Sequence, residues 1–267
     1  MKLCKMIGKG VRLNKEEKIL LKQIQKGVEG HEFKMYLQFI VDNKTKKFVS
    51  AEALSRWENA KGEILTPGSY IELMKKTGLI ERLDYYMFEN VCKKLSEWKS
   101  TEMKNLTLSC NFTRITISEK DFADKIQSIS SKYDFDRSKL LLEITEDSIE
   151  NNLSVATNNI LKVKELGFGI ALDDIGSGCA TLISMCEYPI DVLKIDRSIL
   201  LMTETERGKK LFNGIVSLAH YLNMKVVCEG VETEEQDNFV TGSACDYIQG
   251  WYYSKEIPEH LAVVDNV

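Results

Sequence analysis

The chain has 267 residues, 43% hydrophobic and 28% charged, and its 40 acidic against 36 basic side chains give a formal net charge of −4 at pH 7. Acidic and basic residues are mixed along it, which excludes the broad cationic footprint of a protein that holds nucleic acid polymers nonspecifically. No stretch approaches the roughly 18 uninterrupted apolar residues of a membrane span, so no span is expected.

The first segment, MKLCKMIGKGVRLNKEEK, is basic and lacks the apolar core of a secretion signal, so a soluble, cytoplasmic protein is expected. Residues 1–17 read as an N-terminal extension and 18–267 as one barrel domain. The three prolines are isolated, no low-complexity stretch intervenes, and the length suits a closed eight-stranded barrel of roughly 250 residues. An early helix over about Lys18–Val28 precedes strand candidates Phe33–Ile40 and Phe48–Arg56. Thr66 and Pro67 read as a cap and first-turn proline, Gly78 as a helix stop, and Ile80–Trp98 as the long helix that follows. Leu106–Asn111 and Leu140–Thr145 are the next strands. Asn152 caps a helix over Leu153–Leu166 that Gly167 ends, and strands Phe168–Asp173 and Val192–Ile195 come after it. Between Glu206 and Leu222 the residues Leu211, Ile215, Leu218, Ala219 and Leu222 recur at helical spacing, which predicts an inward face. Lys225–Glu229 and Tyr247–Trp251 complete eight strands alternating with helices, the pattern of an α/β fold: a (β/α)₈ TIM-like barrel. Seven cysteines form no CxxC pair, which leaves no zinc-finger or disulfide framework.

Polar residues end these apolar strands with a regularity that core packing does not explain. The strings are AEALSRW around Glu52, LSCN ending at Asn111, LLLEITE around Glu143 and FGIALDD ending at Asp173 and Asp174. VLKID around Lys194, VVCEG around Glu229 and YIQG around Gln249 follow. The C-terminal ends of barrel strands converge on one rim, where residues remote in sequence meet. Five carboxylates beside one lysine are costly in a partly desolvated site unless cations offset them. The oxygen-rich set, with no histidine of His31, His220 and His260 at a strand end, favours two divalent cations, Mg²⁺ or Mn²⁺, over softer metals. Such ions suit phosphodiester hydrolysis.

These motifs resemble the EAL-domain family of bacterial cyclic di-GMP phosphodiesterases. The resemblance runs from about Lys22 to Leu261 through Glu52-Ala53-Leu54, EITE at 143–146, paired Asp173 and Asp174, KIDRS at 194–198, EGVET at 229–233 and QG at 249–250. It implies a barrel with an atypical antiparallel first strand that hydrolyses cyclic di-GMP to linear pGpG. It also implies Glu52, Asn111, Glu143, Asp173, Asp174 and Glu229 as metal ligands, with Asp173 bridging two ions. Lys194 is then the residue that orients or activates the attacking water, and Gln249 bonds into the water and metal shell. Gln38, Leu54 and Arg56 resemble residues of the substrate cleft, Arg56 having the fork geometry for a phosphate oxygen. Glu232 resembles the carboxylate that supports the loop after Asp174, Ile175–Leu182, whose Gly176 and Gly178 permit a tight path. In the family that loop joins the metal site to a homodimer interface, through which a sensory or regulatory partner acts.

The chain departs from the family pattern at several positions. Ile175 and Cys179 stand where aromatic residues are common, and Ala180 where serine is. Glu72, Met74 and Lys75 replace proline, alanine and glutamate. Glu256 replaces a proline after the last strand and brings a negative charge to where a nucleobase or phosphate approaches. Two other functions compete with hydrolysis of cyclic di-GMP: a catalytically silent receptor for it, and hydrolysis of a different phosphodiester.

Overall fold

A computed structural model of the chain describes residues 12–145, 153–175 and 185–262. Strands β1 (Phe33–Asp42) and β2 (Phe48–Glu58) form an antiparallel hairpin, in register from Phe33 opposite Trp57 to Ile40 opposite Ser50, with a shift at Ile40/Val41. The link over 43–47 is too short for the crossover that a parallel pair needs, and that fixes the reversed direction of β1. Strands β3 (Thr107–Phe112), β4 (Leu140–Thr145), β5 (Gly169–Ile175), β6 (Val192–Ile195), β7 (Lys225–Cys228) and β8 (Tyr247–Gln249) then follow β2, each parallel to the one before. β8 pairs antiparallel with β1, which closes an eight-strand barrel. The expected barrel with one antiparallel first strand is therefore the observed fold. Two-residue pairings at Ile64–Leu65 and Ile257–Pro258 extend β2 and β1 outside the ring.

Seven helices of seven or more residues, among the described residues, surround the ring: α1 (Lys15–Glu29), α2 (Ile71–Thr77), α3 (Ile80–Trp98), α4 (Phe122–Ser130), α5 (Leu153–Glu165), α6 (Glu206–Tyr221) and α7 (Glu234–Thr241). α1 begins three residues before its expected start, because Asn14 and Glu17 form a reciprocal capping box; the expected boundary between 17 and 18 thus falls inside its first turn. Thr66 makes no side-chain cap bond, and Pro67 opens a single turn of 3-10 helix ahead of α2. Gly78 does stop α2, in the left-handed region at φ 72°. The proposed cap Asn152 lies outside the described residues.

The inward face of α6 departs from expectation at Leu211 and Leu218. Of the five expected residues Ala219 is buried and Ile215 and Leu222 are partly buried against the core, but Leu211 and Leu218 are 46% and 37% exposed, and Phe212 and Val216 are buried in their place. Both rows repeat at three- and four-residue spacing, so periodicity alone does not choose between them. Phe212 sets the phase, its ring packing edge-on against Phe239 of α7 at 5.2 Å.

Cys92, Cys110, Cys228 and Cys245 are buried free thiols, and Cys186 is exposed; Cys4 and Cys179 lie outside the described residues. His220 is a packing residue, its Nε2 2.7 Å from Asp246 Oδ2. No described helix is long and apolar enough to cross a membrane.

Candidate active site

Strand register assembles the rim. Gln38 of β1 sits opposite Glu52 of β2, and Ile40 opposite Gln249 of β8. Asn111 of β3 pairs with Glu143 of β4, and Thr145 at the end of β4 with Asp173 of β5. Because side chains alternate along a strand, these registers point one polar layer into the barrel mouth above an inner layer lined by Leu141, Ala171, Val192 and Val227, while Leu108, Leu142 and Ile170 lie on the opposite, outward face of the same strands.

Lys194 lies at the centre of that layer and is completely buried. Its Nζ is 2.8 Å from Glu229 Oε1, 2.9 Å from Glu143 Oε2, 3.1 Å from Glu52 Oε2 and 3.4 Å from Asp173 Oδ1. Asn111 Nδ2 donates to Glu52 Oε1 at 2.7 Å, and Gln249 Nε2 donates to Glu52 Oε2 at 2.7 Å and to Gln38 Oε1 at 3.1 Å. Glu52 thus has donors on both oxygens. Burial works to raise its pKa, but the Lys194 charge and these donors outweigh it and hold the carboxyl below the usual range. Glu143 has fewer donors, and burial followed by the Glu52 charge pushes its pKa well up. Burial also raises Glu229, to about 8, and Asp173. Asp174 follows in the left-handed region at φ 60°, a conformation that aspartate tolerates better than most residues. Its N–H donates to Asp173 Oδ1 at 3.0 Å, and burial, then the Asp173 charge, raises its pKa to about 6.

Carboxylate oxygens of Asp173, Asp174 and Glu229 lie within 4.8 Å of one another, a spacing that suits a shared hard cation. Gln249 Oε1 is buried without a hydrogen-bond partner, an acceptor that a water or ion shell satisfies. Asn111 turns its nitrogen, not its oxygen, toward Glu52. The donor set is therefore oxygen-rich and fits a divalent ion of the Mg²⁺ or Mn²⁺ kind.

A cleft of 370 Å³ opens beside this layer, lined by Gln38, Leu54, Arg56 and Glu232 among others. A second cavity of 580 Å³ adjoins it on the side of Asn111 and Asp174. Every site residue expected from the sequence is thus in the rim or the cleft. Glu232 accepts from Arg197 Nη2 at 2.6 Å; of the loop it was expected to support, only Ile175 is described, and Gly176, Gly178, Cys179 and Ala180 are outside. The sequence reading missed Asp196, Arg197 and Trp251, which also line the cleft. Asp196 and Arg197 sit inside the KIDRS string and Trp251 directly follows QG, so proximity to those motifs was the available signal. Gly250 is required by a close approach: a Cβ there would sit 2.0 Å from the Val231 carbonyl oxygen.

Residues 21–256 match the family model of the EAL domain. Among curated proteins, the bifunctional diguanylate cyclase/cyclic di-GMP phosphodiesterase MucR of Pseudomonas aeruginosa is 27% identical over 247 residues, covering 92% of this chain and 36% of MucR. The probable cyclic di-GMP phosphodiesterase PdeB of Escherichia coli is 30% identical over 237 residues, covering 89% of this chain and 45% of PdeB. The chain spans less than half the length of either relative. A solved structure of PaMucR phosphodiesterase in a c-di-GMP complex superposes with a TM-score of 0.86 at 26% identity, over 92% of this chain and 100% of that one.

Proposed function

The chain belongs to the EAL domain family, and from that membership we propose that it hydrolyses cyclic di-GMP to pGpG in bacterial second-messenger signalling, using divalent cations held on its acidic rim. The observation that carries the reading is the buried Lys194 encircled by Glu52, Glu143, Asp173 and Glu229 at the mouth of a cleft sized for a small ligand. Glu52, Asn111, Glu143, Asp173, Asp174 and Glu229 would hold two ions, Mg²⁺ or Mn²⁺. Such ions supply Lewis acidity that lowers the pKa of a water and offsets negative charge developing on the phosphate.

The protein's own side chains do the positioning. Lys194, an ammonium donor in contact with four carboxylates, orients the attacking water. Gln249 holds Glu52 through its nitrogen and turns its free oxygen to the same water shell. The water oxygen bonds to phosphorus as the bond to the ribose 3′ oxygen breaks, leaving a 3′ hydroxyl and a 5′ phosphate. Arg56 offers N–H groups to a non-bridging phosphate oxygen, while Gln38 and Leu54 line the adjoining wall. Glu232, through Arg197, steadies the neighbouring strand end. The reading includes a cytoplasmic setting, control by a sensory partner, and a homodimer through the region around Ile175–Leu182. A monomeric sedimentation profile with and without nucleotide would rule out the dimer.

The test is turnover of cyclic di-GMP by purified protein with Mn²⁺ or Mg²⁺, against metal-free protein and Glu52→Ala. Metal-dependent pGpG formation is expected, with a loss on the order of 100-fold or more in the variant. Tight binding without turnover under any metal would overturn hydrolysis in favour of a receptor. Turnover of other phosphodiesters alone would reassign the substrate.

A further inference from the structure

Two guanidinium groups line the cleft, and carboxylates of this chain already engage both: Arg197 with Glu232 at 2.6 Å, and Arg56 with Glu256 at 3.2 Å. The two pairs sit in different surroundings. The Arg197 side chain is 48% exposed, so water screens its pair. The Arg56 side chain is only 11% exposed and that of Glu256 25%. Arg56 is fixed further by its Nη1, which donates to the Ser55 carbonyl oxygen at 2.8 Å, and by the Tyr36 ring, whose centroid is 5.9 Å from its Cζ. Among the described residues Glu256 is the carboxylate within ion-pair distance of it.

Glu256 is pinned from both sides. Two positions before it, Ser254 is tied to β1: its carbonyl oxygen accepts from Gln38 Nε2 at 3.1 Å and its Oγ from the Phe39 N–H at 3.3 Å. One position after it, Ile257 pairs with Leu37 of β1. The carboxylate is therefore held over the cleft, facing the group best shaped there to take a phosphate oxygen.

We propose that Glu256 sets the affinity of this cleft for phosphodiesters by competing for Arg56; this rests on reading the cleft as a phosphodiester site. A phosphate oxygen reaches the guanidinium only by displacing or sharing with the carboxylate. Without Glu256 a mostly buried guanidinium lacks its counter-charge, and the incoming phosphate supplies it. The competition weakens every anion at Arg56. It favours ligands whose other groups are anchored at the rim, since tethering raises the effective concentration of the competing phosphate.

The test compares the full chain with Glu256→Gln, Arg56→Gln and the double variant. KM and kcat for cyclic di-GMP are measured with Mn²⁺. In EDTA, thermal unfolding gives the inorganic phosphate concentration for half-maximal stabilisation. Glu256→Gln is expected to lower KM and the phosphate midpoint about tenfold, with the change in KM rather than kcat, and to do neither when Arg56 is glutamine. A KM that stays or rises would make Glu256 a bystander or a ligand contact and would overturn the competition, as would a fall that persists without Arg56. If no variant binds or turns over cyclic di-GMP, the phosphodiesterase reading fails and the phosphate midpoint decides alone. An Arg56-dependent fall in that midpoint supports the competition, and an unmoved midpoint sinks it.

Discussion

Asp84, on α3, carries a pH dependence of its own. Its Oδ2 accepts the N–H and hydroxyl of Thr113 at 3.0 and 2.7 Å and the hydroxyl of Thr116 at 2.6 Å, so one helix side chain holds the loop that follows Asn111. Burial raises its pKa from 3.8 to about 6 even against those three donors. Glu52, equally deep, moves the other way because a lysine faces it: depth alone does not fix the direction, and a counter-charge does. The folded protein keeps the Asp84 proton longer than the unfolded chain does. Its contribution is therefore fully present below about pH 4 and is lost as pH rises through about 6, a difference of about 3 kcal/mol at 1.36 kcal/mol per pKa unit. Asp84→Asn keeps an acceptor oxygen and removes the titration. Urea unfolding between pH 4 and 8 should show the variant gaining on the parent as pH rises, with the gain levelling above about pH 6. A difference constant across that range would mean that Asp84 ionises in the folded protein without cost.

The helices and strands differ in what their patterns reveal. Leu140–Thr145 and Val192–Ile195 are observed at their expected boundaries because each is an apolar run that a polar rim residue or turn cuts off. The rim was legible for the same reason, since Glu52, Asn111, Glu143, Asp173, Lys194, Glu229 and Gln249 each interrupt or end such a run. Nothing along the chain reveals the pairings Arg56 with Glu256, Arg197 with Glu232 or Asp84 with Thr113, which arise only once the ring closes. The phase of α6 was hidden differently: two apolar rows share one spacing, and only the neighbour at Phe239 tells them apart. That phase has a measurable consequence. Phe212→Ala should cost about 3–5 kcal/mol by leaving a cavity, while Leu211→Ala, at an exposed site, should stay within about 1 kcal/mol. Equal losses in denaturant unfolding would return Leu211 to the core and overturn the observed face.

Closing the barrel has an electrostatic cost that local structure does not show. In the unfolded chain Glu52, Glu143, Asp173, Asp174 and Glu229 are spread over most of the sequence and solvated; folding brings four of them within 3.4 Å of a single ammonium. Lys194 offsets one charge, and the remainder opposes burial. An ion that binds this rim and has no site in the unfolded chain must therefore stabilise the whole fold, by about 2.7 kcal/mol when its concentration is 100 times its dissociation constant. For a chain of this length that corresponds to a rise in melting temperature of roughly 5–10 °C. Mn²⁺ or Mg²⁺ added to EDTA-treated protein should produce the rise, and renewed EDTA should reverse it. Asp173→Asn and Glu229→Gln remove oxygens from the group within 4.8 Å and should lose most of the shift, even if relief of repulsion makes the metal-free variants more stable than the parent. Glu97→Gln, on the outer surface and paired with Lys94, should keep it. A rise of equal size in all three variants would locate the ion elsewhere and leave the buried charge at the barrel mouth to Lys194 and shared protons.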